Sequence, residues 1–582
     1  MSWPEGLSSH PAPPAGAPGL IDAHCHLFNV KDLSPVRFIA YAILHLYPQV
    51  AEPLASQSLT GPDKPTLLDR VIGVVLVLVG TRRAPSARTE LAYLQRHVAA
   101  LALATDEDVT PVPLDIDRNA VVDEATAFLG GRSLTGDEVA ETLVRGMIVD
   151  AGGGPAGLEG RQLFDLPEEE RRRIAVQALA LAEQSDARTM TLVGRPFYFA
   201  GLVDFVVQLK RYRHKLVDHL ANLHAREGRP ASLMAPAMVD FGRWLVEDPQ
   251  PRSDLATQVA VWAEIARRPE GPAVHGYVAF CPLRQVLHQR SRDASESPLQ
   301  IVERALETEG FLGVKLYPPM GFRAAGNKTR AQNGPGFSRE VLRLVFGSVP
   351  ESEVRARTLE LGTALDEALD ALYGVCERLR APIMAHGGNS VGAGAETGEL
   401  ADPYYWRPVF DRPAAPAVML AHFGGFGYQT ADPDWPSPTP PPGRVPFDHT
   451  WEAWLARYIK AHPAAPVFAD ISMFTEVLPS AGQHVRDSFT RLRDEFPTIE
   501  DHLVFGTDWV MLAQAKGVSR YDRSVAAFLR SIFGEAGTEK IMRTNFLRYA
   551  DLGAAGAGLD RVAKVYRGDA GLTARLRAAC AT

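Results

Sequence analysis

Cysteine is scarce in this chain: there are four in 582 residues, Cys25, Cys281, Cys376 and Cys580, far apart and without a CxxC pair. That usage excludes a disulfide framework and a cysteine-based zinc ribbon, and it fits a reducing compartment. Long apolar runs are missing too. The most apolar stretch, VIGVVLVLVG at 71–80, is about half the length that a membrane-spanning helix needs. Residues 1–18 are rich in Pro, Ala and Gly. They lack the basic start and apolar centre of a secretion signal, so a flexible segment on a cytoplasmic protein is expected. Basic excess is also absent: 61 Lys and Arg face 69 Asp and Glu, a net charge of −8. Such a surface presents no field for nucleic acid.

What the sequence does contain is a globular composition, 46% hydrophobic and 22% charged, with ample material for a large core. The N-terminal run Gly19-Leu20-Ile21-Asp22-Ala23-His24-Cys25-His26 reads as a strand. Strand side chains alternate faces, so His24 and His26 point the same way, well placed to share a metal ion. Cys25 falls on the opposite face and is expected to pack. Read alone, such a pair is more often two ordinary histidines than a metal site.

Seven further apolar stretches follow from residue 231 onward. They are SLMAPAMVD (232–240), VHGYVAFC (274–281), LGVKLY (312–317), PIMAH (382–386), AVMLAH (417–422), PVFAD (466–470) and LVFGTD (503–508). Helical patterns separate them, such as 359–379 and 451–461. Runs apolar on both faces suit a parallel sheet covered by helices, and several end in a polar residue. The fold class expected is therefore α/β, a (β/α)8 TIM barrel with its site at the C-terminal strand ends. Residues 31–230 break this rhythm. Helical spacing at 89–104, 135–148, 167–184 and 202–226 reads as a large, mainly helical insertion between strands 1 and 2. The expected division is 1–18 as a flexible segment, 19–30 and 231–555 as the barrel, 31–230 as the insertion and 556–582 as a helical tail. His214, His219 and His224 are spaced five apart, share no helical face, and are expected on a solvated surface. The loops 321–336 and 424–446 are candidate walls or lids, or plain surface excursions.

The segments IDAHCHLFN, GFLGVKLYPP, IMAHGG, VMLAHFGG and HLVFGTDW, in that order, with KIMRTNFL near the end, resemble the amidohydrolase superfamily. The closer resemblance is to its amidohydrolase-related, aminocarboxymuconate-semialdehyde decarboxylase-like branch. It covers the first strand and most of 230–552, and leaves out the insertion. The resemblance implies a divalent metal held by His24, His26, His386 and Asp508, with His422 in acid/base work or polarising the substrate. Three imidazoles and a carboxylate suit Zn2+, with Mn2+ a second candidate. On their own, His386 and His422 could be core histidines, and Asp508 could cap a turn. Asp22 shares the histidines' face at greater depth and is expected to support them rather than ligate. Asp470, at the end of strand 7, is expected to orient a histidine. Gly506 would leave space beside Asp508. Lys315 should point into the barrel. It could bridge two metals as a carboxylated lysine, or contact substrate or a neighbouring acid; one ion is favoured over two. Arg323, Asn389, Tyr317 and Trp509 lie just beyond strand ends and are candidate substrate contacts. His275, which opens strand 3, should face the far end of the barrel.

The expected activity is a metal-dependent hydrolase that uses a metal-activated water to cleave a C–N, or less favoured C–O, bond of a small molecule. The alternative is a metal-dependent non-oxidative decarboxylase of an aromatic or unsaturated acid, with Lys315 or Arg323 holding the departing carboxylate. A third reading is a catalytically inactive scaffold whose insertion binds a protein. A homodimer is suggested by family likeness alone.

Overall fold

The computed structural model describes residues 19–29, 31–32, 85–102, 190–192, 195–197, 205, 208–209, 211–245 and 253–581, apart from 335, 391, 394–396, 435–444, 479–481 and 516. Residues 1–18, the apolar run 71–80 and the helices expected at 135–148 and 167–184 lie outside these residues.

Parallel strands recur where the apolar stretches stand. They are β1 (Leu20–Cys25), β2 (Ala231–Pro236), β3 in two pieces (Ala273–Val274 and Tyr277–Ala279), β4 (Gly313–Leu316), β5 (Ile383–His386), β6 (Val418–Ala421), β7 (Val467–Asp470) and β8 (Leu503–Val504). β1, β2 and the first piece of β3 form one sheet, and the second piece of β3 through β8 forms another in chain order. The two meet at Gly276, where a Cβ would lie 2.3 Å from the Pro236 carbonyl oxygen. Only glycine lets the backbones approach that closely. A parallel bridge between Ala237 and Tyr277 continues across the break. At the other edge, Ala23 N donates to Phe505 O (3.2 Å), Thr507 N to His24 O (3.0 Å) and Val510 N to His26 O (2.9 Å). The segment after β8 is thus hydrogen-bonded to β1.

Helices cover these strands, among them Leu255–Ala266, Pro298–Thr308, Val354–Leu379, Trp451–Ala461 and Tyr521–Glu539. Every residue of β4, β5, β6 and β7 is buried. That two-sided burial explains the unbroken apolar runs, and each fully buried Val, Leu or Ile contributes about 1.5–3 kcal/mol. Within 31–230, the described residues include helix α1 (Ala87–Ala102), a short antiparallel hairpin (Met190–Leu192 with Arg195–Phe197) and helix α2 (Arg213–Arg226). A buried ion cluster ties α1 and α2 to the segment after β1. The Arg213 guanidinium meets Asp32 and, at 2.7 Å, Glu90, which also accepts from His214 Nδ1 at 2.9 Å.

The expectation of solvated histidines on α2 is corrected. His214 and His224 are each 1% exposed, and the His219 ring stacks on Trp509 at 5.3 Å. Five-residue spacing does put these side chains on different faces, but α2 is enclosed by other elements on more than one side.

The N-terminal ends of the strands are closed by the C-terminal helices Ala557–Ala563 and Ala570–Ala579. Arg561 donates to the carbonyls of Leu306 (3.2 Å) and Phe311 (2.7 Å). His275 lies at this end, with Nδ1 2.7 Å from Gly310 O and Nε2 2.7 Å from the Tyr566 hydroxyl. Burial, with smaller contributions from Arg575 and Arg561, lowers its pKa to about 4. An unfolded histidine titrates near 6.5. Between those values the unfolded chain binds the extra proton. The stability from neutral His275 is therefore complete above about pH 6.5 and lost as pH falls through 4. His275→Asn should flatten this acid limb: between pH 6.5 and 4 the Tm of the wild type should fall more steeply than that of the variant. Parallel slopes would contradict the assignment.

Candidate metal centre

β1 delivers His24 and His26 to the C-terminal end of the sheet, and the turn after β8 brings Asp508 against them. The two imidazole Nε2 atoms are 3.3 Å apart. Asp508 Oδ1 is 3.4 Å from His24 Nε2 and 3.3 Å from His26 Nε2. A tetrahedral site with bonds of about 2.0–2.1 Å has edges of roughly 3.3 Å. Asp508 Oδ1 is buried and has no hydrogen-bond partner, a costly state for a carboxylate oxygen unless something else occupies it. The donor set thus fits a divalent ion.

The far side of each imidazole is pinned. His24 Nδ1 is 3.0 Å from Asp470 Oδ2 and 3.0 Å from Ser472 Oγ. His26 Nδ1 is 2.9 Å from the Ala237 carbonyl. With its proton committed at Nδ1, each ring turns an Nε2 lone pair toward Asp508. Burial pushes the pKa of both histidines well below the usual range, and neighbouring Lys315 pushes the same way. Burial raises the Asp508 carboxyl, with the Lys315 charge opposing. Gly506 admits His24 itself: a Cβ there would lie 2.7 Å from His24 Cβ.

Two backbones at the centre are left-handed, Asp508 at φ 57° and His422 at φ 68°. Such conformations in non-glycine residues cost about 1–3 kcal/mol each and persist where the surroundings impose them. His422 is held by its own amide, which donates to Asp470 Oδ1 at 3.2 Å. Its Nδ1 lies 3.1 Å from Ser472 Oγ, so one hydroxyl bridges His24 and His422. His422 Nε2 is 3.1 Å from His386 Nδ1.

The fourth expected ligand, His386, stands outside the group formed by His24, His26 and Asp508. Its Nδ1 is engaged by His422 and its ring stacks on Tyr317 at 4.2 Å. Its Nε2 is buried without a partner. Lys315 points toward His24, with Nζ 3.2 Å from both His24 Nε2 and Met384 Sδ. Burial lowers its pKa to about 8, against the pull of Asp470 and Asp508.

Lys315 and Tyr317 also line a narrow cleft, whose other walls include Phe241, Trp244, Phe280 and Phe322. Arg323, Asn389 and Trp509 do not line it. The Arg323 guanidinium lies over the Tyr405 ring at 4.0 Å, and its Nε is buried and unpartnered. Asn389 packs over Gly398. The Trp509 ring stacks on His219 of α2.

Asp22 requires a correction of face. The β1 ladder is irregular between Asp22 and Cys25, so strict alternation fails there. Asp22 touches His24 only at the backbone amide (3.3 Å), and otherwise binds Thr507 and His224. Ser472, Thr507 and His224 escaped the sequence reading. Ser472 had a weak signal, two residues past Asp470 at a strand end. His224 had none, because its partners are 202 and 298 residues away.

In the metal-free protein His24 and His26 should remain neutral at pH 6 with the proton on Nδ1. Ring-nitrogen NMR checks this, and an imidazolium at either residue would contradict the pinned arrangement.

No curated protein matches the chain. Among the crystal structures that overlap it are two hydrolases by description. One is a probable 2-pyrone-4,6-dicarboxylic acid hydrolase from Acinetobacter baumannii with citric acid bound; it is 10% identical, covers 57% of this chain and 88% of its own, and has a TM-score of 0.29. The other is described as a metal-dependent hydrolase from Lactobacillus casei; it is 13% identical, covers 92% and 95%, and has a TM-score of 0.32. Neither score is high enough to carry an argument. Residues 287–548 match the family model described as Amidohydrolase. That stretch, a little under half of the chain, holds Lys315, His386, His422, Asp470 and Asp508, and over it the chain is similar to that family.

Proposed function

We propose that the protein is a metal-dependent hydrolase of a small molecule, acting on a C–N or C–O bond. The observation that supports this most is the tetrahedral spacing of His24 Nε2, His26 Nε2 and Asp508 Oδ1 around a common point. On this reading β1 to β8 form one closed barrel, 19–30 with 231–555, interrupted by the insertion 31–230. His386 supplies the fourth ligand through its unpartnered Nε2. Lys315 donates as an amine to His24 and Met384, which favours one ion, most simply Zn2+, over two bridged by a carboxylated lysine.

A divalent ion here supplies Lewis acidity, lowering the pKa of a water from 15.7 to about 7. The chain does the rest. Asp508 accepts the water's proton and passes it to the leaving nitrogen or oxygen. A C–O bond forms at the carbonyl as the C–N or C–O bond breaks, so atoms and charge balance. His422, fixed by Ser472 and Asp470, hydrogen-bonds the carbonyl oxygen as it gains charge. Tyr317 and the aromatic walls of the cleft hold the substrate body and exclude water.

A second reading keeps the site and changes the reaction. The buried, uncommitted Nε of Arg323 suits a substrate carboxylate, as a non-oxidative decarboxylase requires.

A panel of amides, lactones, esters and unsaturated or aromatic acids separates the two. Turnover should vanish on chelation and return with zinc, and Asp508→Asn should lower kcat by about 10²–10⁴. Full turnover in metal-free protein would overturn both readings. CO2 release without hydrolysis would favour the second.

A further inference from the structure

Helix α2 belongs to the insertion, yet it reaches the centre from behind. His224 is buried between two carboxylates, with Nε2 3.3 Å from Asp22 Oδ2 and Nδ1 2.6 Å from Asp522 Oδ2. Both ring nitrogens face anions, so the ring can satisfy both only as a cation.

The inner carboxylate, Asp22, is the more informative. Its Oδ1 accepts from the amides of His24 (3.3 Å) and Thr507 (3.0 Å), and its Oδ2 from the Thr507 hydroxyl (2.7 Å). That hydroxyl in turn accepts from the Trp509 amide at 3.0 Å. One side chain therefore fixes the backbone on both sides of Asp508, the residue held at φ 57°. A second contact from the same helix acts on the same segment: His219 stacks on the Trp509 ring at an interplanar angle of 23°. Among ordinary packing contacts these stand apart, because they converge on Thr507 and Trp509, the two neighbours of Asp508 in the turn after β8.

We propose that α2 is a positioning element of the metal centre: through His224 and Asp22 it holds residues 507–509, and so sets where the Asp508 carboxylate lies. This rests on the reading of Asp508 as a ligand. Without His224 the Asp22 carboxylate would be buried opposite Asp522 with no cation between them. Asp22 would then turn outward or draw in water, and release Thr507. Helix α2 is accordingly a tuning device for metal affinity, acting through residues that do not touch the ion.

The test has two readouts. In metal-free protein, His224→Ala should speed amide hydrogen exchange at Thr507 and Asp508 about tenfold or more, while the β5 amides at 383–386 keep their wild-type rates. By chelator competition the same variant should bind zinc about 10–100-fold more weakly, the usual effect of removing an outer-layer partner. His224→Gln, which keeps one donor, should recover part of both. If His224→Ala does not fold, Asp522→Asn, which removes only the outer anchor, should give the same local pattern at smaller size. Unchanged exchange at 507–508, or an equal rise at 383–386, would overturn the proposal and leave α2 a general stabiliser. Wild type that binds no zinc would remove the metal reading, and exchange would still decide whether α2 holds Asp508.

Discussion

Two imidazoles sealed from water, each obliged to place its Nδ1 proton on a fixed acceptor, are the constraint on which the site depends. His24 gives its proton toward Asp470 and Ser472, and His26 gives its proton to the Ala237 carbonyl. Those acceptors come from β7 and from the residue after β2, so the rings are oriented only when the strands around them are in register. Shifting any one strand by a residue would turn its polar end groups away. The geometry at the centre is therefore a property of the whole sheet rather than of the His-x-His motif.

The same requirement accounts for the strained backbones. Asp508 and His422 adopt left-handed conformations because each must turn a side chain inward while its amide remains satisfied. Asp508 N donates to His24 O at 2.7 Å and His422 N to Asp470 Oδ1 at 3.2 Å. The hydrogen bonds offset strain of about 1–3 kcal/mol per residue, and they bind Asp508 and His422 to β1 and β7.

Much of this was legible in the sequence because strands alternate and parallel strands bury both faces. Apolar runs ending in His386, His422, Asp470 or Asp508 mark strand ends directly, and the described strands fall on those runs. His24, His26 and Asp508 come together as the pattern implies. What was not legible depends on contacts between distant positions. The face of Asp22 was misjudged because the β1 ladder slips after it. The α2 histidines were misplaced because periodicity describes a helix's own faces and says nothing of what packs on them. Trp509 follows a site residue in sequence, but its ring is claimed by His219. His386 sits off the three-residue group because His422 and Tyr317 hold its ring, a pairing between β5, β6 and β4 that no single stretch of sequence contains.

The most direct measurement is a crystal structure of zinc-loaded protein with data collected on both sides of the zinc absorption edge. The account predicts one anomalous peak within about 2.0–2.2 Å of His24 Nε2, His26 Nε2 and an Asp508 oxygen. A peak held by other residues, or none at these three in protein that carries the metal, would contradict it.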